Sequence, residues 1–354
     1  MKLKLIILKN QTEDDHLDWQ RACEKYKEYI EYEIIDLTDH NWLDILMNTQ
    51  FDCILTKAPG NNSLFKNLYD ERLYIISKIL HYPIYPSYDE NVIYENKKML
   101  SYWLQAKKIK HPQTRVFYDQ IEAADFVDNT KYPIVAKTNI GASGSGVKIL
   151  KSSSHARGYI KKAFQGKGIK RRWGPNLRKK NYLKRIQQKL KEPLRSMNFY
   201  SNRYRSSKID IQKHFVIFQE FIEIESEWRC VIIGDSYFGH KKKKQGKLIS
   251  GGGGIIWDYP NNKILDFLME VKEKGNLSAT SIDLFETVNG DIYVNEIQCF
   301  FGFIDPDNQM YINGKPGRFK SVNGSWVFEE GIFNKNNSYD LRIEHVLELF
   351  ENKS

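Results

Sequence analysis

The sequence predicts an α/β protein built of α+β lobes, on three observations. Short apolar runs alternate with helical stretches up to about residue 95, the pattern of an open α/β lobe. A glycine-rich stretch, "YPIVAKTNIGASGSGVKIL" at residues 132–150, sits between two strand-like runs. Late in the chain, "SIDLFETVNGDIYVNEIQCF" reads as two alternating strands joined through Asn289-Gly290, a hairpin signature.

In chain order, residues 2–8, 32–36 and 51–55 read as strands, separated by helical stretches such as 16–28 and 68–80. A helix runs through "NKKMLSYWLQAKKI", and Pro112 in the following "HPQT" is expected to end it. Strands at 133–137 and 147–151 flank the glycine loop. "FVIFQEFI" and "EWRCVIIGD" read as strands, the second turning at Gly234-Asp235. "KQGKLISGGGGIIWD" reads as a loop and 261–275 as a helix, and no internal repeat is visible. The expected division is an N-terminal α/β domain over 1–95, a lid subdomain over 96–225 and a C-terminal subdomain over 226–354.

The chain has 354 residues, 41% of them hydrophobic, enough for a sizeable core. No stretch approaches the roughly 18 apolar residues of a membrane span. "MKLKLIILKN" reads as a first strand, without the cleavage site of a signal peptide. Cys23, Cys53, Cys230 and Cys299 are scattered, without metal-ligand or disulfide spacing, so they are expected to be reduced and structural in the cytoplasm.

The net charge of +10 is unevenly spread. Residues 155–209 hold eighteen Lys or Arg and a single acid, Glu192, about +17; the remainder carries 36 basic against 43 acidic residues. After Pro175 this segment has helical spacing, with Leu177, Leu183, Ile186 and Leu190 as an apolar stripe. Such a segment attracts polyanions: an acidic polysaccharide, an anionic membrane surface or nucleic acid. A solvated helical hairpin covering the body is the plainer alternative. No base-reading motif accompanies it, so nucleic acid ranks last. Trp173, Tyr182, Phe199, Tyr200 and Tyr204 are the residues that would have to stack bases.

The glycine loop fails two phosphate-binding patterns. Gly141 and Gly146 have Walker-type spacing, but Val147 stands where lysine should, and "VKIL" is strand-like. The Rossmann spacing is wrong too. A glycine-tipped hairpin remains, with Lys137 on its incoming strand. Its backbone N–H groups could fold over a triphosphate whose oxygens the lysine reaches; a glycine hairpin with no ligand is the alternative. On the late hairpin, Glu296 and Gln298 share one face of a strand, and the turn brings Asp283 alongside. These hard oxygen donors suit Mg²⁺ bridging phosphates. Acids merely facing water are the alternative, although apolar Ile282, Leu284, Val294 and Ile297 place them near a core.

The ordered series over residues 95–302 resembles the ATP-grasp family. The resemblance implies that fold, with an N-terminal pre-ATP-grasp domain and two α+β subdomains holding ATP between them. It implies Lys98 and Lys137 as nucleotide lysines, and Gly141, Ser143, Gly144, Ser145 and Gly146 as the lid. Gln219, Glu220, Phe221 and Ile222 would receive adenine. Glu227 would be the acid before Arg229, which would face the phosphates or an acyl intermediate. Asp283, Glu296 and Gln298 would hold Mg²⁺ or Mn²⁺. Gln298 stands where many members have asparagine. No arginine precedes Ser250, so Lys247 or one of Lys241–Lys244 is left as the substrate-side cation; a solvated turn is the alternative for the four lysines. The basic insert lies outside the family pattern.

The chemistry implied is activation of a carboxylate as an acyl phosphate, followed by amine attack to form an amide. Phosphoryl transfer asks for positioning and charge neutralisation, and a closed lid protects the intermediate from water. No nucleophile triad is evident, and His240 is a candidate base. The tail after "NEIQCF" looks similar to ATP-grasp proteins of bacterial surface-polysaccharide pathways. That implies an amino acid joined to an acidic glycan, in the cytoplasm or at the inner membrane surface, by a protein for which a homodimer is compatible. A kinase using the same nucleotide residues, and a polyanion-binding protein with a degenerate nucleotide site, are the other two readings.

Overall fold

The computed structural model describes residues 2–10, 14–60, 62–141, 144–172, 201, 204–205, 208–242, 255–301 and 309–351. Its first sheet is parallel, in the order β2-β1-β3-β4: β1 (Leu3–Lys9), β2 (Ile30–Asp36), β3 (Cys53–Leu55) and β4 (Ile84–Tyr85). β1 reads as an unbroken apolar run because Leu5, Ile6, Ile7 and Leu8 are all buried, as a parallel strand covered on both faces requires. Helices α1 (Leu17–Lys25), α2 (Trp42–Met47) and α3 (Ser63–Tyr74) connect these strands. The helix expected at 68–80 starts earlier, because the Asn62 side chain caps it by accepting from the Phe65 N–H at 3.1 Å. Residues Ile75–Ile79 continue it as a π-helical turn. A capping box of Ser87 and Glu90 opens α4 (Tyr88–Ile93), and Asn96 caps α5 (Lys97–Ala106). Pro112 does not end α5: the helix stops well before it, where Lys108 turns into the left-handed region at φ 54°.

The second sheet is a small antiparallel one, in the order β5-β8-β6-β7: β5 (Thr114–Phe117), β6 (Ile134–Lys137), β7 (Val147–Leu150) and β8 (Val216–Glu220). α6 (Gln120–Asn129) and α7 (Ser153–Phe164) cover it. Ala123, Val127, Ala156, Tyr159, Ile160 and Ala163 pack with Phe117 and Phe218 in a core of its own. This corrects the start of the basic insert: residues 155–164 are part of this lobe, their basic side chains on the outer face of a helix whose inner face is core. The chain leaves at Ile169 and returns at Gln212, the two residues pairing as an isolated bridge. The apolar stripe from Leu177 to Leu190 lies outside the described residues.

The third sheet has eight strands. Its path is β13-β12-β9-β10-β15-β14, with β11 added to β10 and β16 to β15. The strands are β9 (Ile224–Ile233), β10 (Ser236–Lys242), β11 (Ile255–Ile256), β12 (Ala279–Thr287), β13 (Ile292–Gln298), β14 (Tyr311–Ile312), β15 (Lys315–Val322) and β16 (Ser325–Glu330). α8 (Asn262–Gly275) and the terminal α9 (Tyr339–Glu351) pack with it. Asn276, at φ 50°, ends α8 in the left-handed conformation that asparagine tolerates. One apolar core runs from the first sheet through this third one, so they form a single body, and the second sheet is a separately cored lobe. No described helix is long and apolar enough to cross a membrane.

Candidate active site

Four polar side chains stand in one row across the third sheet. Glu296 on β13 pairs with Asp283 on β12, Asp283 with Arg229 on β9, and Arg229 with His240 on β10. Two residues along, Glu227 and Lys242 face each other in register, and strand alternation puts them on the same side.

Arg229 grips Asp283 with two parallel hydrogen bonds, Nε to Oδ1 at 3.0 Å and Nη2 to Oδ2 at 3.1 Å. Lys242 Nζ also bonds Asp283 Oδ2 and donates to Glu227 Oε1 at 2.6 Å. Burial alone would raise the Asp283 carboxyl, but the two cations overcome it and hold it well below the usual range. Arg229 is correspondingly raised by Asp283. Glu227 is fully buried, and burial outweighs Lys242 to push its pKa up. Among the described residues its Oε2 has no hydrogen-bond partner.

The small lobe and α5 bring further charge to this face. Lys137, the last residue of β6, donates to Asn295 Oδ1 at 3.2 Å. Asn295 is the extra residue of a bulge, since Asp283 pairs with Glu296 but Leu284 with Val294, and the bulge brings its side chain to Lys137. Burial and the neighbouring Lys97 push Lys137 down to about 8, against the pull of Glu296 and Glu227. Lys97 Nζ donates to the Gly141 carbonyl at 3.1 Å and lies 3.8 Å from both Glu95 and Glu296. Glu95 accepts from the Gly141 N–H at 3.1 Å, and burial raises its pKa against Lys97.

Lys98 does not share the contacts of Lys97: its Nζ meets the Tyr118 hydroxyl at 2.9 Å and lies 4.3 Å from the Phe215 ring centre. In the loop, Gly144 is left-handed at φ 64°, and a Cβ on Gly146 would stand 1.7 Å from Thr138 Oγ1. Ser145 is buried, its hydroxyl without a partner among the described residues, while its carbonyl accepts from the Arg172 N–H at 2.9 Å. The Gln219 side chain donates to Thr114 at 2.9 Å, and Glu220 accepts from the Gln113 N–H at 2.6 Å, so both side chains tie strands together. Phe221 and Ile222 follow at the end of β8, Phe221 exposed. Gln298 lies opposite Ser281, one alternation beyond Glu296. Ser143 and Lys247 lie outside the described residues, as do Lys243, Lys244 and the glycine run before Ile255.

Sequence reasoning missed Glu95, Lys97 and Asn295, and had Lys242 only as one of four lysines. The available signal was the doubled lysine in "NKKM" and the Asn in "VNEIQ"; neither identifies which side chain turns inward.

No protein-family model and no curated protein matches the sequence. Solved structures match the fold. N5-carboxyaminoimidazole synthetase from Staphylococcus aureus, complexed with ADP, aligns over 91% of this chain and 83% of its own at a TM-score of 0.52 and 12% identity. An ADP complex of PurK, N5-carboxyaminoimidazole ribonucleotide synthetase, aligns over 85% and 71% at 0.51 and 13%. The biotin carboxylase domain of 2-oxoglutarate carboxylase from Hydrogenobacter thermophilus, with MgADP and bicarbonate, aligns over 87% and 66% at 0.51 and 12%. The chain has the ATP-grasp fold. In ATP-grasp terms, the separately cored second sheet and the third sheet are the two α+β halves, with Lys137 and the polar row between them.

The donor set fits a nucleotide and its metal with one condition. Among the described residues no three His, Cys, Asp or Glu are gathered to hold a metal by themselves. Glu296, Asp283 and the Gln298 amide are hard oxygen donors of the kind Mg²⁺ uses when phosphate oxygens and water complete its shell.

Proposed function

We propose that this ATP-grasp chain is an ATP-dependent carboxylate–amine ligase, forming an amide through an acyl phosphate with release of ADP and phosphate. The observation that carries this is the meeting of Lys137 and Lys97 with the Glu296–Asp283–Arg229 row. Cations for phosphate oxygens and hard donors for a divalent metal face one another between two sheets.

In this reading Lys97, Lys98, Lys137 and the lid residues Gly141 and Ser143–Gly146 hold the phosphates. The chain after β8, Gln219–Ile222, receives adenine by its backbone. Asp283, Glu296 and Gln298 hold Mg²⁺ or Mn²⁺, and the orphaned oxygen of Glu227 accepts a hydrogen bond from the ligand. ATP supplies the phosphoryl group that turns a carboxylate oxygen into a leaving group. Arg229, held rigid by Asp283, stabilises the negative charge of the acyl phosphate in a site of low dielectric. Lys242, or Lys247 beyond it, steadies the substrate carboxylate.

For the carboxylate that is activated, the reading is an acidic polysaccharide or its precursor at the cytoplasmic membrane surface, with an amino acid as the amine. What supports it is the charge of residues 155–209 and the resemblance of the tail.

The test is a trap. Protein, Mg-ATP and hydroxylamine are offered amino acids, uronic acids and acidic oligosaccharides, and hydroxamate and ADP are read together. Matched hydroxamate and ADP are expected. ADP with a phosphorylated product and no hydroxamate would make the chain a kinase.

A further inference from the structure

We propose that the aromatic corner beside His240 binds the amine acceptor as its ammonium ion, and that His240 is the base that takes a proton from the attacking nitrogen. The inference deepens the ligase reading and rests on it.

The polar row does not stop at His240. β11 pairs with β10 through Lys241 and Ile256, so Trp257 follows opposite His240, with ring centres 5.7 Å apart. Tyr311 meets Trp257 edge-on at 4.6 Å and 73°. With Asp258, Tyr259, Asn313 and Gly314 these two rings line an open cavity of about 500 Å³. Trp257 is 42% exposed and Tyr259 46%, high for large aromatic rings.

The sign of the charge decides the ligand class. On the rest of the face Lys97, Lys137, Arg229 and Lys242 are the groups that would meet anions, with Glu95, Glu227, Asp283 and Glu296 standing among them. Aromatic faces carry negative potential and attract cations, most strongly over Trp. Asp258 reinforces this, although Lys241 pairs with it at 2.8 Å. A carboxylate–amine ligase needs a place for a cationic co-substrate next to its anion-binding groups, and among the described residues the row leads into this aromatic corner.

His240 is 5% exposed, and its Nδ1 lies 2.9 Å from the Gln309 carbonyl. A carbonyl only accepts, so Nδ1 carries the proton and Nε2 the lone pair. Among the described residues no group bonds Nε2. Burial, Arg229 and Lys242 keep the ring neutral, pushed down to about 4 against the Gln309 carbonyl and Asp283. An acyl phosphate beside Arg229 and Lys242 would add negative charge near His240, which favours the protonated ring, so the ring would gain basicity when the electrophile is in place. The amine, having lost one proton to solvent on engaging, attacks the acyl carbon. The C–N bond forms and Nε2 takes the nitrogen's proton. The C–O bond to phosphate breaks with its electron pair, and the proton passes from Nε2 to the departing phosphate.

Two measurements test this. First, saturation-transfer NMR on the free protein at neutral pH compares cyclohexylamine with cyclohexanol, which match in shape and differ in charge. Transfer to the amine alone, lost in Trp257→Ala, is expected; equal transfer to both, or none to the amine, overturns the ammonium site. Second, with a carboxylate that gives hydroxamate, His240→Gln keeps a donor for the Gln309 carbonyl but has no basic nitrogen. Amide formation with an alkylamine should fall at least about 100-fold, while trapping by hydroxylamine, already unprotonated at neutral pH, stays within about threefold. Equal loss of both products overturns the base. If no carboxylate gives hydroxamate with the unaltered protein, the ligase reading fails, and the NMR comparison still decides the corner.

Discussion

Asp283 and Arg229 are direct cross-strand partners on β12 and β9, joined by two hydrogen bonds of 3.0 and 3.1 Å inside the sheet. The pair orders the whole polar row, because Asp283 also holds Lys242 and pairs in register with Glu296. Without Arg229 the buried Asp283 keeps only Lys242, which it shares with Glu227, so Arg229→Gln should destabilise the fold by about 3 kcal/mol. Adding Asp283→Asn should recover part of that loss without restoring turnover. Chemical denaturation of the two single variants and the double variant reads the coupling directly.

Lys137 should titrate far below an ordinary lysine. Burial and Lys97 lower it from 10.5 to about 8, so it is charged at neutral pH and loses its proton as the pH passes through about 8. Affinity for a nucleotide should therefore fall above that pH, and Lys137→Arg should flatten the dependence. Calorimetric titration with a non-hydrolysable ATP analogue across the range checks both. The same affinity at alkaline and neutral pH would show that Lys137 does not pair with the phosphates.

Two glycines should respond to alanine with opposite signs. Gly146 has no room, its Cβ meeting Thr138 Oγ1 at 1.7 Å, so Gly146→Ala should displace the hairpin and weaken nucleotide binding. Gly158 lies inside α7 with nothing within 4 Å of its Cβ, so Gly158→Ala should stabilise the protein. The expected gain is about 0.5–1 kcal/mol. Melting temperatures with and without the ATP analogue separate the two effects.

Polyanion binding can be tested without disturbing the small lobe. Arg171 pairs with Asp210 at 2.8 Å, Asp210 accepts from the Ser63 N–H at 2.7 Å, and the Arg172 N–H holds Ser145. Those two arginines brace the root of the segment, so the charge test belongs to Arg178, Lys179 and Lys180. Changing the three to glutamine should weaken binding to an acidic polysaccharide such as hyaluronate and lessen its salt dependence. Binding of the ATP analogue should stay the same. Unchanged affinity for the polysaccharide would remove the polyanion from the proposed function.

Much of this was legible in the sequence. The strands of the first sheet are short apolar runs, the glycine hairpin stands between two of them, and Asn289-Gly290 marks the turn joining β12 to β13. The acids and cations of the face also stood out, since only a few lie in strands that otherwise pattern as core. Other features were not. Lys97 and Lys98 are adjacent at the start of α5, and neighbours on a helix point about 100° apart, so periodicity cannot say which turns inward. The contact of Lys97 with Gly141 and Glu296 answers that, and it joins α5 to a loop and a strand far along the chain. Basic composition likewise merged α7 with the insert, because charge counts do not see that Ala156, Tyr159, Ile160 and Ala163 face a core.

Hydrophobic period, caps and turn residues act over a few neighbouring positions, which is why the first three strands, the glycine hairpin and the turn from β12 to β13 could be read locally. Which charges meet depends on pairing between segments far apart in the chain. Pairing β12 with β9 sets Asp283 against Arg229, and the bulge at Asn295 turns that side chain to Lys137. Register between distant strands is set by burial of whole faces, and a slip of one residue would send the slipped strand's groups to the opposite side of the sheet.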